Sequence, residues 1–246
     1  MEGKRTGSFV AEIDPVGHVA WTEACPQRAS TWPKVFEGNP MAPPDAGRQA
    51  ATTPDAVLEM LRDGNKRFVD GKPLTRNTVT DIQATSGGQH PLAVVLGCID
   101  SRVPPETVLD CGIGDVFAAR VAGNIVDEDL LGSMEFACKL AGAKAILVMG
   151  HTACGAIKGA VSKARLGNLS ALLQKIEPAC DEVREMYGPA ASDDMHFVDA
   201  CARHNVTRTV NSIRSQSEVL RTMEKEGKIK LAGSMYDVST GVVTFL

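Results

Sequence analysis

The pattern of apolar and polar positions changes character near residue 53. From there to the end of the chain, short apolar runs at 92–97, 116–121 and 145–150 alternate with stretches of helical period at 129–141 and 155–165 and a short helix from about Pro104. Continuous apolar runs of this length predict strands buried on both faces, and their alternation with helices predicts βαβ crossovers. The fold class read from this pattern is α/β, a mainly parallel β-sheet core flanked by helices. Thr53-Pro54-Asp55 has the residues of a helix start, a capping hydroxyl, a proline and an acid in the first turn. Val57, Leu58, Leu61 and Phe68 then recur at helical spacing up to Gly71, which predicts an N-terminal helical arm over about 54–70. Helices are also expected at about 169–187 and 196–226. The chain closes with 228–236 and 242–246 joined through Ser239-Thr240-Gly241, a C-terminal hairpin expected at a sheet edge.

Ahead of this region the periodicity is absent. Residues 1–54 hold seven of the thirteen prolines and both tryptophans, Trp21 and Trp32. Residues 1–52 are therefore expected to be an extended or disordered tail, or a segment that docks on a partner through its tryptophans, and residues 53–246 a single catalytic domain. A length of 246 residues with 43% apolar and 23% charged residues suits one substantial core. A net charge of -4 offers no global basic field for nucleic acid or an anionic membrane. No apolar run approaches the ~18 residues of a membrane span, and the first thirty residues lack a secretory apolar stretch, so a cytoplasmic protein is expected. Seven cysteines, an odd number without the regular spacing of a disulfide scaffold, read as core thiols or metal ligands. Cys25, Cys111, Cys138, Cys180 and Cys201 read as structural.

The other two cysteines sit where chemistry would. Cys98-Ile99-Asp100-Ser101-Arg102 follows the first apolar run, and His151-Thr152-Ala153-Cys154 follows the third. Loops at the carboxyl ends of adjacent parallel strands converge on one crevice, so these segments can meet in space. Two thiolates and an imidazole are three zinc ligands, and three protein ligands with a fourth exchangeable position make a catalytic rather than a closed structural site. Each element alone has a plainer reading: Cys98 as a small buried hydrophobe, His151 as a satisfied core histidine. A nucleophilic cysteine beside an anion-binding arginine is a third, although phosphatases separate the two by five residues and here three intervene. Asp100 and Arg102 weigh toward the metal, because burying both near a strand end is costly unless they are paired or metal-bound. Alternation along an extended segment sends Cys98, Asp100 and Arg102 to one side, where Asp100 can reach a metal or its water and Arg102 can hold it from behind. Gly150 and Gly155 would let the second loop turn tightly.

Cys-x-Asp-x-Arg with Val103-Pro104-Pro105-Glu106, Gly114-Asp115-Val116-Phe117, Arg120-Val121-Ala122-Gly123-Asn124, Gly150-His151-Thr152-Ala153-Cys154-Gly155 and the closing Gly233-Ser234-Met235-Tyr236-Asp237 together resemble a β-class carbonic anhydrase. The resemblance runs from about Thr53 to Leu246. It implies one Zn2+ per chain on Cys98, His151 and Cys154, Asp100 and Arg102 as the catalytic dyad, and reversible hydration of carbon dioxide to bicarbonate by a metal-bound hydroxide. It also implies that Asp100 can swing in as a fourth ligand in a closed state. One subtype carries an inhibitory pocket with a tryptophan three residues before the first zinc cysteine; Val95 stands there, which points to the plant-like, non-allosteric subtype. In that subtype Gln89, Phe117 and Phe136 match substrate-binding positions. The resemblance further implies a homodimer or higher homo-oligomer, with the pocket at the subunit interface and the leading helix across the partner. Hydrolysis of carbonyl sulfide or carbon disulfide on the same scaffold, and a non-catalytic zinc-stabilised binding module, are the alternatives; the intact Asp100–Arg102 pair argues against the module. His196 and His204 read as surface histidines rather than proton shuttles.

Overall fold

A computed structural model describes residues 42–188 and 193–246, together with the backbone of two short segments in the first forty. Those segments, β1 (Ala11–Ile13) and β2 (Val19–Trp21), pair antiparallel in a unit of their own, Met1–Gly38. The rest of residues 1–41 lies outside the described residues, Trp32 included, whereas residues 42–52 of the expected tail are described.

The second unit, Asn39–Leu246, holds α1 (Ala46–Ala51), α2 (Pro54–Val69), α3 (Thr78–Thr85), β3 (Ala93–Gly97), α4 (Pro105–Val108), β4 (Val116–Arg120), α5 (Glu128–Glu135), β5 (Ala145–His151), α6 (Gly155–Val161), α7 (Gly167–Tyr187), α8 (Met195–Gln216), α9 (Glu218–Lys225), β6 (Lys230–Tyr236) and β7 (Val243–Phe245). The sheet order is β4-β3-β5-β6-β7, with the first four strands parallel and β7 antiparallel at the edge. Every residue of β3 and β5 is buried, as strands covered by helices on both faces must be. The α/β fold with a C-terminal edge hairpin is the one the apolar pattern predicts. Among the described residues no helix is long and apolar enough to cross a membrane.

Four departures from the expected elements have local causes. Order extends ahead of Thr53: Asp45 accepts the Arg48 N–H at 2.7 Å to start α1, and the buried Gln49 donates through Nε2 to the carbonyls of Pro91 and Ala141, each at 2.8 Å. A polar side chain acting as a clamp has no apolar period to announce it. The short helix α3, capped by Asn77, is likewise invisible to periodicity, since only Asp81 of its eight residues is buried. The helix expected over 129–141 is α-helical only to Glu135 and continues as a π-turn, Phe136–Leu140. The single helix expected over 196–226 is two, because Ser217 ends α8 and caps α9 by accepting the Leu220 N–H at 3.1 Å.

Helix α2 buries Val57, Leu58 and Leu61 against its own domain, and Asn65 ties it to the C-terminal hairpin by donating to the Gly241 carbonyl at 2.8 Å and accepting the Val243 N–H at 2.8 Å. Gly64 makes the close approach possible: a Cβ there would come within 1.9 Å of the Leu109 carbonyl oxygen, just past α4. Gly64→Ala should therefore destabilise the protein by about 1–3 kcal/mol in urea unfolding through overpacking, although alanine is the better helix former by about 1 kcal/mol. An unchanged or raised midpoint would show that α2 does not pack on α4 in this way.

Candidate metal centre

The register of the central strands builds the site. Gly97 on β3 lies beside Met149 on β5, so Cys98 emerges level with Gly150 and next to His151. Cys154 follows as the residue that opens α6. The ligand-competent atoms of Cys98, His151 and Cys154 lie within 4.8 Å of one another, and all three residues are buried. His151 Nδ1 is 2.8 Å from the Thr152 carbonyl, which makes it the protonated nitrogen. Its Nε2 is left buried without a hydrogen-bond partner among the described residues. An orphaned ring nitrogen facing two thiols, with the other nitrogen donating to a backbone carbonyl, is the arrangement of a metal-ligating histidine. The donor set fits zinc.

The thiols behave as a pair. The hydrogen bond from Cys154 pulls the Cys98 thiol down to about 4 against the opposing effect of burial, helped by His151 and by the Gly123 N–H, which donates to its Sγ at 3.4 Å. The adjoining Cys98 thiolate, with burial, pushes Cys154 up instead. Without a cation the pair shares one proton, and a divalent ion would release it.

Asp100 sits beside this triad. Arg102 donates to Oδ1 from its backbone N–H at 2.9 Å and from Nε at 3.0 Å, and to Oδ2 from Nη2 at 2.8 Å. The Arg102 guanidinium holds the carboxyl well below the usual carboxylate range, outweighing burial. Oδ2 is 4.0 Å from His151 Nε2, so the carboxylate borders the ligand cluster while remaining bound to Arg102. Arg102 Nη2 also lies 3.3 Å from the Ala153 carbonyl, which links the two loops.

The second loop turns differently from expectation. Its left-handed residue is Ala153, at φ 53°, rather than either flanking glycine. A non-glycine residue there costs about 1–2 kcal/mol, and Asp199 on α8 offsets this by accepting the Ala153 N–H at 2.8 Å. Gly150 is needed for packing instead, since a Cβ would stand 2.5 Å from Val206 Cγ2. Asp199 was beyond the reach of sequence reasoning, being 46 residues from its partner with no spacing to mark it. Arg120, which the sequence offered only as part of a motif and without a role, also reaches the first loop: from the edge strand its Nε donates to the Cys98 carbonyl at 2.9 Å and its Nη2 to the Asp100 carbonyl at 2.6 Å.

The remaining expected site residues do not gather at these ligands within one chain. Gln89 is exposed and precedes the amino end of β3, whereas Cys98 follows its carboxyl end, a separation of about 16 Å for five extended residues. Phe117 lies level with Val94, about 10 Å back along the strand from Gly97. Phe117 and Phe136 do meet, edge to face, with ring centroids 6.3 Å apart. Phe136 is 51% exposed. Val95 is wholly buried in β3. His196 is exposed, and His204 is engaged with Glu182.

Fold and site together define a Cys-His-Cys cluster able to hold a metal ion, at the carboxyl ends of an open α/β sheet. A family model described as carbonic anhydrase matches residues 93–243. Carbonic anhydrase 2 of Mycobacterium tuberculosis is 32% identical over 191 residues, covering 77% of this chain and 91% of that protein. The crystal structure of the β-carbonic anhydrase CafA of Aspergillus fumigatus superposes with a TM-score of 0.61 at 28% identity, covering 67% of this chain and 79% of that one. One of two tetrameric β-carbonic anhydrases from Sordaria macrospora gives 0.62 at 29% identity, covering 67% and 85%. The chain belongs to the carbonic anhydrase family, with the fold of its β-class.

Replacing either thiol should empty the centre. Cys98→Ser and Cys154→Ser are expected to fall from one bound zinc per chain to a small fraction of that by metal analysis, with a lower unfolding temperature because metal binding is coupled to folding. Full zinc retention in both variants would contradict the ligand assignment.

Proposed function

We propose that the chain catalyses the reversible hydration of carbon dioxide to bicarbonate and a proton, with one zinc ion held by Cys98, His151 and Cys154. The observation that carries this reading is the unpartnered, buried Nε2 of His151 set between two thiols and next to a carboxylate that a guanidinium restrains. Zinc in that position supplies Lewis acidity, which makes water nucleophilic near neutral pH. The protein residues do the rest. Asp100, ionised far below neutral, accepts a hydrogen bond from the attacking water at Oδ2 and so turns its lone pair toward the substrate carbon. Arg102 engages both oxygens of Asp100, which makes the carboxylate a poor competitor for the metal and favours the open over the closed state. A non-catalytic module would need neither residue.

The substrate pocket in this reading forms between two copies. Gln89, Phe117 and Phe136 lie away from the ligands of their own chain and come to the partner's centre across a dimer interface. Exposed Ile99, Phe136 and Leu140, at 61%, 51% and 76%, are apolar surface that a second copy would cover, and the Sordaria macrospora relatives are described as tetrameric. An apolar wall suits carbon dioxide, which has no net dipole. Val95, buried where the allosteric subtype has tryptophan, supports the plant-like, non-allosteric assignment. Six free cysteines among the described residues accord with a reducing, cytoplasmic setting. Gln49, which clamps the carbonyls of Pro91 and Ala141, supports counting α1 with the catalytic domain that the sequence reading began at residue 53.

Stopped-flow measurement of carbon dioxide hydration by the zinc-loaded protein tests the reading. Turnover is expected, and Asp100→Asn should keep zinc but lower kcat by about 10- to 100-fold, the usual effect of removing a partner of the ligand shell. No hydration by the zinc-loaded protein would overturn the proposal, and turnover of carbonyl sulfide alone would move the chain to the related hydrolases.

A further inference from the structure

We propose that Arg120 is a positioning residue for the reaction, holding the loop that carries both Cys98 and Asp100 in register with the sheet; the proposal rests on the reading of that loop as catalytic. Strand β3 ends at Gly97, whose carbonyl still accepts the N–H of Val121, the residue just after β4, at 3.1 Å. Past that point the loop leaves the ladder, and the guanidinium of Arg120 takes over the ladder's work. Nε donates to the Cys98 carbonyl at 2.9 Å and Nη2 to the Asp100 carbonyl at 2.6 Å.

One planar group thus spans the two residues whose side chains do the chemistry. The fork is rigid, so it sets the separation and tilt of the two carbonyls, and with them the directions in which the Cys98 thiol and the Asp100 carboxylate point. Asp100 is held twice, and the two holds differ in kind. Arg102 grips the carboxylate but belongs to the same loop and moves with it. Arg120 belongs to β4 and refers the loop to the sheet, the element whose register with β5 also sets His151. Among the described residues, the hydrogen bonds of the Arg120 side chain go to this loop and none to a carboxylate. It is not an ion pair joining other elements. It stands at the last register pair of β4 with β3, opposite Gly97, and on an exposed edge strand nothing in the local sequence marks the bonds it makes.

The test compares Arg120→Ala and Arg120→Lys with the unaltered zinc-loaded chain, measuring kcat and KM for carbon dioxide hydration and zinc affinity by competition with a chromophoric chelator. Arg120→Ala should lower kcat by about 10- to 100-fold with KM unchanged, and weaken zinc binding by about tenfold, the range seen when a partner of the ligand shell is removed. Arg120→Lys keeps the charge without the fork, and should recover only part of either loss. Added guanidinium ion should raise the kcat of Arg120→Ala, which a merely unfolded fraction would not show. Unaltered kcat and zinc affinity in Arg120→Ala overturns the proposal, as does full activity in Arg120→Lys or a loss that only tracks the unfolded fraction without guanidinium rescue. Should Arg120→Ala not fold, Arg120→Lys decides: a folded protein with reduced kcat supports the role. If the unaltered chain does not hydrate carbon dioxide, the proposed function fails, and the zinc-affinity comparison still decides on Arg120.

Discussion

Cys98 and His151 meet because β3 and β5 run parallel in a register that sets Gly97 beside Met149. The period of a strand is two, so a slip of one residue would turn Cys98 to the other face of the sheet and bury the wrong neighbours. Complete burial of both strands specifies that register, since every side chain on each face has a packed partner. Helix α8 packs on the sheet and also supplies a contact to the site: Asp199 holds the left-handed Ala153, so one packed helix both closes the core and shapes the ligand turn.

The centre is a balance of charge as much as of shape. Two thiols, an imidazole and a carboxylate crowd one spot, and the burial of Cys98 and Cys154 would favour neutral thiols. Hydrogen bonds to Cys98 and the pairing of Asp100 with Arg102 keep anionic character there without an ion. A buried cluster in that condition is costly in isolation and well matched to a divalent cation. The same Arg102 that keeps Asp100 ionised also binds both of its oxygens, with Oδ2 standing 4.0 Å from His151 Nε2.

What the chain announced in advance was what its periodicity and local spacing encode. Buried strands are long apolar runs, so β3 and β5 were plain, and Cys98, Asp100, Arg102, His151 and Cys154 stood out because polar ligating groups follow directly on those runs. The contacts of Gln49, Asp199 and Arg120 were not legible, although Arg120 stood in a quoted motif. Each acts through a single side chain on a backbone group far away in sequence, 42 residues for Gln49 on Pro91, 46 for Asp199 and 22 for Arg120 on Cys98, and no local pattern marks such a bond. The π-turn that presents Phe136 to Phe117 was hidden for a related reason: its apolar content continues the preceding helix, and only tertiary packing decides how the last turn winds. Gln89, Phe117 and Phe136 were named by resemblance, and one chain leaves them apart from the ligands.

The central claim is that this cluster is a zinc centre with two sulfur ligands, one imidazole and one position open to exchange. X-ray absorption at the zinc edge of the loaded protein near pH 7 addresses it directly. Two sulfurs at about 2.3 Å and two nitrogen or oxygen neighbours at about 2.0–2.1 Å are expected. A shell of four sulfurs, or one made only of nitrogen and oxygen, would contradict the account.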